Sequence, residues 1–433
     1  MKIVDATDLA ALRGLYAGGW DPPQEVVDAV GAILRDVRER GDDALLDYTR
    51  RWDFAGASPD ALRVDIPSRA DARGLVPGEI AAGLELARDR IADFHARQLP
   101  EPIDYRAPDG TRYAFLVRPL AAVGAYVPGG SAPLPSTVLM TVVPAKVAGV
   151  ERVVVVTPPQ RDGRVDPAVV YACALTGVDE LYAAGGAQAI AALAYGTATV
   201  AAVDKIVGPG NVYVTEAKRQ VFGMCAIDGL AGPSEVLVVA DATAKAELVA
   251  GELVAQAEHD PLARVAAVSR ERALLERVAE LLDGPFGRAS GRDAIVSQVL
   301  DSRAWLVHAA TDDAVLDVIE RFAPEHLSLM VADPYGWLPN IRRAGAIFVG
   351  DATPVAAGDY LAGTNHTLPT SGAARFSSGL RTADYLRTMT LVENTPARMA
   401  ADAPALAALA DFEGLPAHAR TARMRGPQAT RGI

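Results

Sequence analysis

Histidine is scarce in this chain, six among 433 residues, and four of the six stand beside acidic or amide side chains in short motifs. They are His259 in Gln256-Ala-Glu-His, His326 in Pro324-Glu-His-Leu, His366 in Gly363-Thr-Asn-His, and His418, which follows Glu413 by five residues. Imidazole, carboxylate and amide groups together make a metal site or an acid–base site. His95 and His308 lack such neighbours. The first is expected to be exposed on an amphipathic helix, the second to be a satisfied residue of a strand.

Each motif suggests a different task. Gln256 and His259 are three apart at the end of a helical stretch, so they share a face and can grip one metal ion. Imidazole nitrogen is an ordinary zinc ligand and an amide oxygen a rarer one; a solvated helix end is the plainer alternative. Glu325 and His326 are adjacent, so their side chains diverge and suit separate steps. Histidine suits proton transfer near neutral pH, and glutamate can activate water; two exposed side chains at a helix stop would look the same. The segment Gly358-Asp-Tyr-Leu-Ala-Gly-Thr-Asn-His366 puts glycines, a carboxylate, an amide and a histidine in a loop after a strand. Open α/β sheets bind ligands in such loops at strand carboxyl ends, and Asp359 offers a charged oxygen. Glu413 and His418 lie in a C-terminal tail. Donor count draws them in, since a metal needs about four to six donors and Gln256, His259 and Asp359 fall short. Two glycine-rich turns can face a ligand: Asp228-Gly-Leu-Ala-Gly-Pro-Ser234, which presents a hydroxyl, and Gly124-Ala-Tyr126-Val-Pro-Gly-Gly-Ser131, where Tyr126 offers a flat face.

Elements must position these groups, and their pattern is α/β. Residues 1–110 are expected to be mainly helical, with helices from Pro22-Pro23 to about Arg40 and from Ile80 to Arg97. Strands are expected at Tyr113–Val117, Arg152–Thr157, Asp179–Ala183, Lys205–Val207, Val236–Val239, Val265–Val268, Trp305–His308 and Ala346–Val349. Helical stretches alternate with them: Pro167–Leu175, Ala187–Tyr195, Val212–Val221, Ala244–Gln256 and Ala314–Phe322. Near-continuous apolar strands alternating with helices imply parallel sheets covered on both faces. Two such units are expected, 111–233 and 234–380, followed by a small helical tail, 381–433, with a basic end. Helix end, polar link and valine-rich strand recur at Val143–Thr157 and Val254–Ser269, a hint of duplication. No Gly-x-Gly-x-x-Gly fingerprint follows a strand; Gly208-Pro-Gly210-Asn-Val-Tyr213 lacks the third glycine.

Composition narrows the function classes. Net charge is −12 and the basic residues are scattered, which argues against a nucleic-acid partner. Two cysteines, Cys173 and Cys225, make neither a disulfide framework nor a thiolate zinc site, and fit a reducing cytosol. The start lacks a signal-peptide pattern. The uncharged run Leu181–Val203 is long enough to cross a bilayer, yet its glycines and polar residues fit a strand, a glycine turn and a buried helix better.

Taken jointly, the motifs resemble the histidinol dehydrogenase family from about residue 20 to residue 420. The fragments, in family order, are Tyr126-Val-Pro-Gly-Gly, Gly185-Gly-Ala-Gln188-Ala, Gly208-Pro-Gly-Asn211, Ala231-Gly-Pro-Ser-Glu-Val, Gln256-Ala-Glu-His, Pro324-Glu-His-Leu, Gly358-Asp-Tyr, Gly363-Thr-Asn-His and Glu413…His418. The resemblance implies two incomplete Rossmann-like domains with small helical terminal regions, which suits the missing fingerprint. It implies oxidation of L-histidinol through L-histidinal to L-histidine with two NAD⁺, the last steps of histidine biosynthesis. It implies that Gln256, His259, Asp359 and His418 hold one Zn²⁺ and meet the substrate there. Ser234, His326, His366 and Glu413 would also touch substrate, and Tyr126, Gln188 and Asn211 would contact NAD. It further implies a cytoplasmic homodimer in which Glu413 and His418 act across chains. The residue types agree: His326 suits the base that takes the hydroxyl proton, and Glu325 the group that activates water for the second oxidation.

Three other readings compete. A relative acting on another polar alcohol, such as a sulfonated diol, would share most motifs, though Glu413 and His366 suit an amino-imidazole substrate. A zinc hydrolase with a metal-activated water would need no dinucleotide. A non-catalytic binding protein would not need so many polar motifs.

Overall fold

A computed structural model describes residues 1–129, 133–288 and 291–426. Ser131 and the end of the basic tail lie outside the described residues. The chain forms two compact units, Met1–Gln98 with Leu120–Tyr385, and Leu99–Pro119 with Leu386–Ile433.

The first unit contains two six-stranded sheets of matching design. In one, the strand order is Arg63–Val64, Glu180–Ala183, Arg152–Thr157, Ala122–Tyr126, Lys205–Val207, Ala226–Ile227. All pairs are parallel except the short Arg63–Val64 edge. In the other, the order is Ile3–Asp5, Ala304–His308, Arg264–Ser269, Glu235–Ala240, His326–Met330, Ala346–Val349, parallel throughout. Leaving aside the outer strand contributed by the N-terminal region, each sheet runs third, second, first, fourth, fifth. The hint of duplication in the sequence corresponds to this shared topology. Each sheet reverses direction between its first and fourth strands, the place where doubly wound folds open a crevice.

Burial explains the apolar strands. Along Glu235–Ala240, Val236 and Val238 enter one core cluster while Leu237 and Val239 enter the cluster on the opposite face. A strand buried on both faces has no reason to alternate with polar residues. Helices at the surface show one-sided stripes instead. Gln24–Arg40 buries Val26, Val30, Ile33, Leu34 and Val37, a helical spacing. The Leu181–Val203 run resolves into the strand Glu180–Ala183, the Gly185-Gly186 turn and the buried helix Gly186–Tyr195. Among the described residues no helix is long and apolar enough to cross a membrane.

The second unit differs from the expected terminal regions. Ile103–Arg106, Arg112–Pro119 and Leu386–Glu393 form an antiparallel three-stranded sheet. Helices Pro396–Phe412 and Pro416–Arg423 follow, packed through Ala407, Ala419 and Ala422. The strand expected at Tyr113–Val117 therefore belongs here and not to the first parallel sheet, and the tail begins with a strand. The divisions drawn at 110/111 and 380/381 differ from those of the compact units at 98/99, 119/120 and 385/386. The reason is long-range pairing: Leu386–Glu393 finds its partner some 270 residues earlier in the chain, in Arg112–Pro119, and no local pattern encodes that.

Candidate active site

The motifs converge on a cavity of about 390 Å³ in the first unit, between opposite edges of its two sheets. From the first sheet, the carboxyl edge contributes Tyr126 at the end of its strand and Pro209, Gly210 and Asn211 from the loop after Lys205–Val207. From the second sheet, the amino edge contributes Ser234 just before Glu235–Ala240, and Glu325 and His326 at the start of His326–Met330. The residues at the second sheet's own switch point are bonded to one another. There Asp241 accepts hydrogen bonds from Ala332 N at 2.8 Å and from Thr243 N at 2.9 Å.

This placement corrects the expectation that Gly358–His366 lines a strand carboxyl end. After Ala346–Val349 the short helix Val355–Tyr360 turns the chain back, and Asp359 Oδ1 comes 3.9 Å from His326 Nε2 at the amino edge. His366 Nδ1 lies 3.2 Å from the Asp359 carbonyl, and its Nε2 is 3.5 Å from Thr137 Oγ1. Burial pushes the Asp359 carboxyl up to about 6, helped by the charge of Glu252.

Glu325 and His326 are buried, 5% and 4% exposed, so the reading of two solvated side chains is excluded. The main chain of Glu235 holds both. Its N–H donates to Glu325 Oε2 at 2.8 Å, and its carbonyl lies 2.8 Å from His326 Nδ1. A carbonyl only accepts, so Nδ1 carries the proton. Burial also pushes the His326 pKa down to about 4, keeping the ring neutral. The lone pair therefore sits on Nε2, which is buried and has no hydrogen-bond partner. That is the state a general base needs. Glu325 is raised well above the usual carboxyl range, first by desolvation and then by the charges of Glu235 and Asp359. Sequence reasoning gave Glu235 no task; its place inside Ala231-Gly-Pro-Ser-Glu-Val was the available signal. Ala323, with φ of 47°, makes the left-handed turn that aims Pro324-Glu325-His326 into the cavity.

Gln256 is in the last turn of the helix Ala246–Ala257 and His259 just beyond it, both lining the cavity with Asp359. An amide, an imidazole and a carboxylate fit zinc in kind, though they are fewer than the four donors of a closed site. Among the described residues, no group of three or more His, Cys, Asp or Glu is placed to hold a metal. Glu413 and His418 lie in the second unit, both exposed.

Tyr126 and Gln188 are each bonded near the start of the helix Gly186–Tyr195. Gly186 N donates to the Tyr126 hydroxyl at 3.2 Å, and Gln188 Nε2 donates to Asp53 Oδ2 at 3.2 Å. Gln188 does not line the cavity; it is 1% exposed, and its Oε1 has no partner. Asp53 lines a second cavity of about 630 Å³ that shares Pro128 and Gly129 with the first and carries Arg50, Arg51 and Arg161. Asn211 caps the helix Val212–Val221, its Oδ1 accepting from Tyr213 and Val214 N–H, which leaves its amide N–H₂ available.

The other two histidines divide. His308 sits at a strand end, its Nδ1 4.0 Å from Asp5 Oδ2. His95, expected exposed, is fully buried, with Nε2 3.3 Å from Asn365 Nδ2. Asn365 also donates to the Met140 carbonyl at 2.7 Å and accepts from Thr367 N at 2.9 Å, so it pins the loop that carries His366.

Two largely parallel sheets flanking a polar cavity, with a neutral histidine beside a buried carboxyl group, define the class as an α/β enzyme. The comparisons place it more closely. A family model described as histidinol dehydrogenase matches residues 21–426. Histidinol dehydrogenase of Rhodospirillum rubrum is 47% identical over 94% of each chain, and that of Gluconobacter oxydans is 44% identical over 96% of each. The crystal structure of histidinol dehydrogenase from Elizabethkingia anophelis matches with a TM-score of 0.91 at 33% identity, covering 98% of both chains. The chain belongs to the histidinol dehydrogenase family, and is an oxidoreductase.

Proposed function

We propose that this protein oxidises L-histidinol through L-histidinal to L-histidine, with NAD as electron acceptor and zinc in the cavity. Beside family membership, the supporting observation is the main chain of Glu235, which fixes one neutral base and one buried carboxyl group at 2.8 Å each. Two oxidations in one cavity need two proton-handling groups with separate tasks. His326 Nε2 takes the proton of the substrate hydroxyl. The aldehyde must then add water, and Glu325 takes the proton of that water.

NAD, when bound, accepts a hydride in each oxidation. Tyr126 and Asn211 would face it at the carboxyl edge of the first sheet, with Gln188, bonded to Asp53, beside the adjoining cavity. Arg50, Arg51 and Arg161 make the adjoining cavity suitable for its phosphates. Zinc, when bound, supplies a positive charge that orients imidazole and amine groups of the substrate. Gln256, His259 and Asp359 would hold it, with His418 as the fourth donor. Ser234, His366 and Glu413 would complete the substrate contacts.

The reading includes a homodimer in which Glu413 and His418 serve the partner's site. In support, both are exposed, and their helices also expose Leu409, Phe412 and Met424, apolar surface that a partner would cover. A cytosolic location is included on the strength of two free, buried cysteines.

The test is zinc-loaded protein given histidinol and NAD. Two NADH per histidinol consumed are expected, and no NADH would sink the reading. Faster turnover of another polar alcohol, such as a sulfonated diol, would move the substrate assignment.

A further inference from the structure

The loop Gly208-Pro209-Gly210-Asn211 crosses the first sheet's switch point. Gly208 follows the strand Lys205–Val207 and lies against the end of Ala122–Tyr126, so close that a Cβ there would stand 2.2 Å from the Tyr126 carbonyl oxygen. Its φ of 103° is also one that side-chain-bearing residues rarely adopt. Both polar groups of Gly208 end on one buried ion pair. Its N–H donates to Asp228 Oδ2 at 2.7 Å, and its carbonyl accepts from Lys218 Nζ at 2.8 Å. Lys218 and Asp228 are bonded to each other, with side chains only 2% and 6% exposed. Asp228 also accepts from Gly229 N at 2.8 Å. Lys218 stands on the helix that Asn211 caps, and Asp228 follows the last strand of the sheet.

We propose that Lys218 and Asp228 are positioning residues that clamp the Gly208 loop and thereby set how tightly NAD is held. The proposal rests on the reading of Asn211 as a cofactor contact. A buried ion pair is a poor source of net stability, because desolvation cancels most of its attraction. What this one supplies is geometry. It fixes a glycine amide and carbonyl at once, and so fixes Asn211 relative to Tyr126 across the switch point. The same helix is tied to the other side of the cavity, since Thr215 Oγ1 donates to the Ala231 carbonyl at 3.0 Å. Neither clamp side chain lines the catalytic cavity, so a loosened loop should weaken cofactor binding without touching proton transfer.

The experiment uses the full-length, zinc-loaded protein and three variants: Asp228→Asn, Lys218→Met/Asp228→Asn, and Asn211→Ser. The double variant leaves no unpaired buried charge, and Asp228→Asn keeps an acceptor for Gly208 should the double variant not fold. Asn211→Ser keeps a helix cap while removing the amide. NAD binding is measured by calorimetry, KM and kcat by NADH formation, and folding by thermal melts without NAD. Folded clamp variants should bind NAD about ten- to a hundredfold more weakly. Their KM for NAD should rise in step, while kcat at saturating NAD and KM for histidinol stay near the parent values. Unchanged NAD affinity in a folded clamp variant, with Asn211→Ser weakened, overturns the clamp alone. Unchanged affinity in Asn211→Ser overturns the cofactor reading of the loop, and the clamp falls with it.

Discussion

At the residue scale the proposed chemistry turns on the tautomer of His326. With Nδ1–H committed to the Glu235 carbonyl, Nε2 is free to accept a proton. His326→Gln should therefore slow the first oxidation by about 10²–10⁴-fold, the usual worth of a positioned base. Glu325→Gln should instead slow chiefly the oxidation of added histidinal. Single-turnover NADH formation from each substrate separates the two, and equal losses in both half-reactions from Glu325→Gln would refute the division. His95 gives a prediction about stability. Burial pushes its pKa from 6.5 down to about 4. Between those values the unfolded chain binds a proton that the folded chain refuses, so stability is lost as pH falls through that window. His326 and His366 act in the same direction. His95→Gln should lower Tm at pH 7 but shrink the drop in Tm from pH 7 to pH 5; an unchanged drop would count against it.

At the scale of elements, short connections decide where side chains end up. Glu252 and Gln256 are four apart on one face of the helix Ala246–Ala257, and His259 follows just beyond its end. Glu252 also accepts from Val355 N at 3.1 Å, the first amide of the helix that carries Asp359. It therefore links two elements that supply candidate metal donors. Glu252→Ala should weaken zinc binding about 10–100-fold, as losses behind a metal site do, read by competition against a chromophoric chelator. Gly208→Ala combines a disfavoured φ with a clash against Tyr126. It should cost about 1–3 kcal/mol of stability or more, read in denaturant melts, and lower NAD affinity as well. The valine-rich strands of the first unit were legible, because strands buried on both faces leave uninterrupted apolar runs. Ala122–Tyr126 was not, although it is the first strand of its sheet. Its Gly124 reads as a turn, whereas a Cβ there would stand 2.8 Å from Leu193, and the glycine lets helix and sheet approach.

At the scale of the whole molecule, the C-terminal pair gives the sharpest test. If Glu413 and His418 serve a partner's cavity, a His418→Ala chain mixed with a His326→Gln chain should regain activity. At full exchange half the dimers are mixed, each with one site free of both substitutions. No rescue despite demonstrated subunit exchange would place the complete site within one chain. Chelation should likewise abolish turnover, and added zinc should restore it.

Residue types and their order determined a great deal without any coordinates. Glycine, histidine, carboxylate and amide motifs marked the chemistry, and apolar runs marked the sheets, because both are written in short stretches of chain. Tertiary structure decided what depends on distant partners. It put the site between the carboxyl edge of one sheet and the amino edge of the other, paired Leu386–Glu393 with Arg112–Pro119, and buried His95 against Asn365. It also chose the nitrogen of His326 that can act as base. That choice rests on a carbonyl 91 residues away in the chain, brought to 2.8 Å by the parallel pairing of two strands.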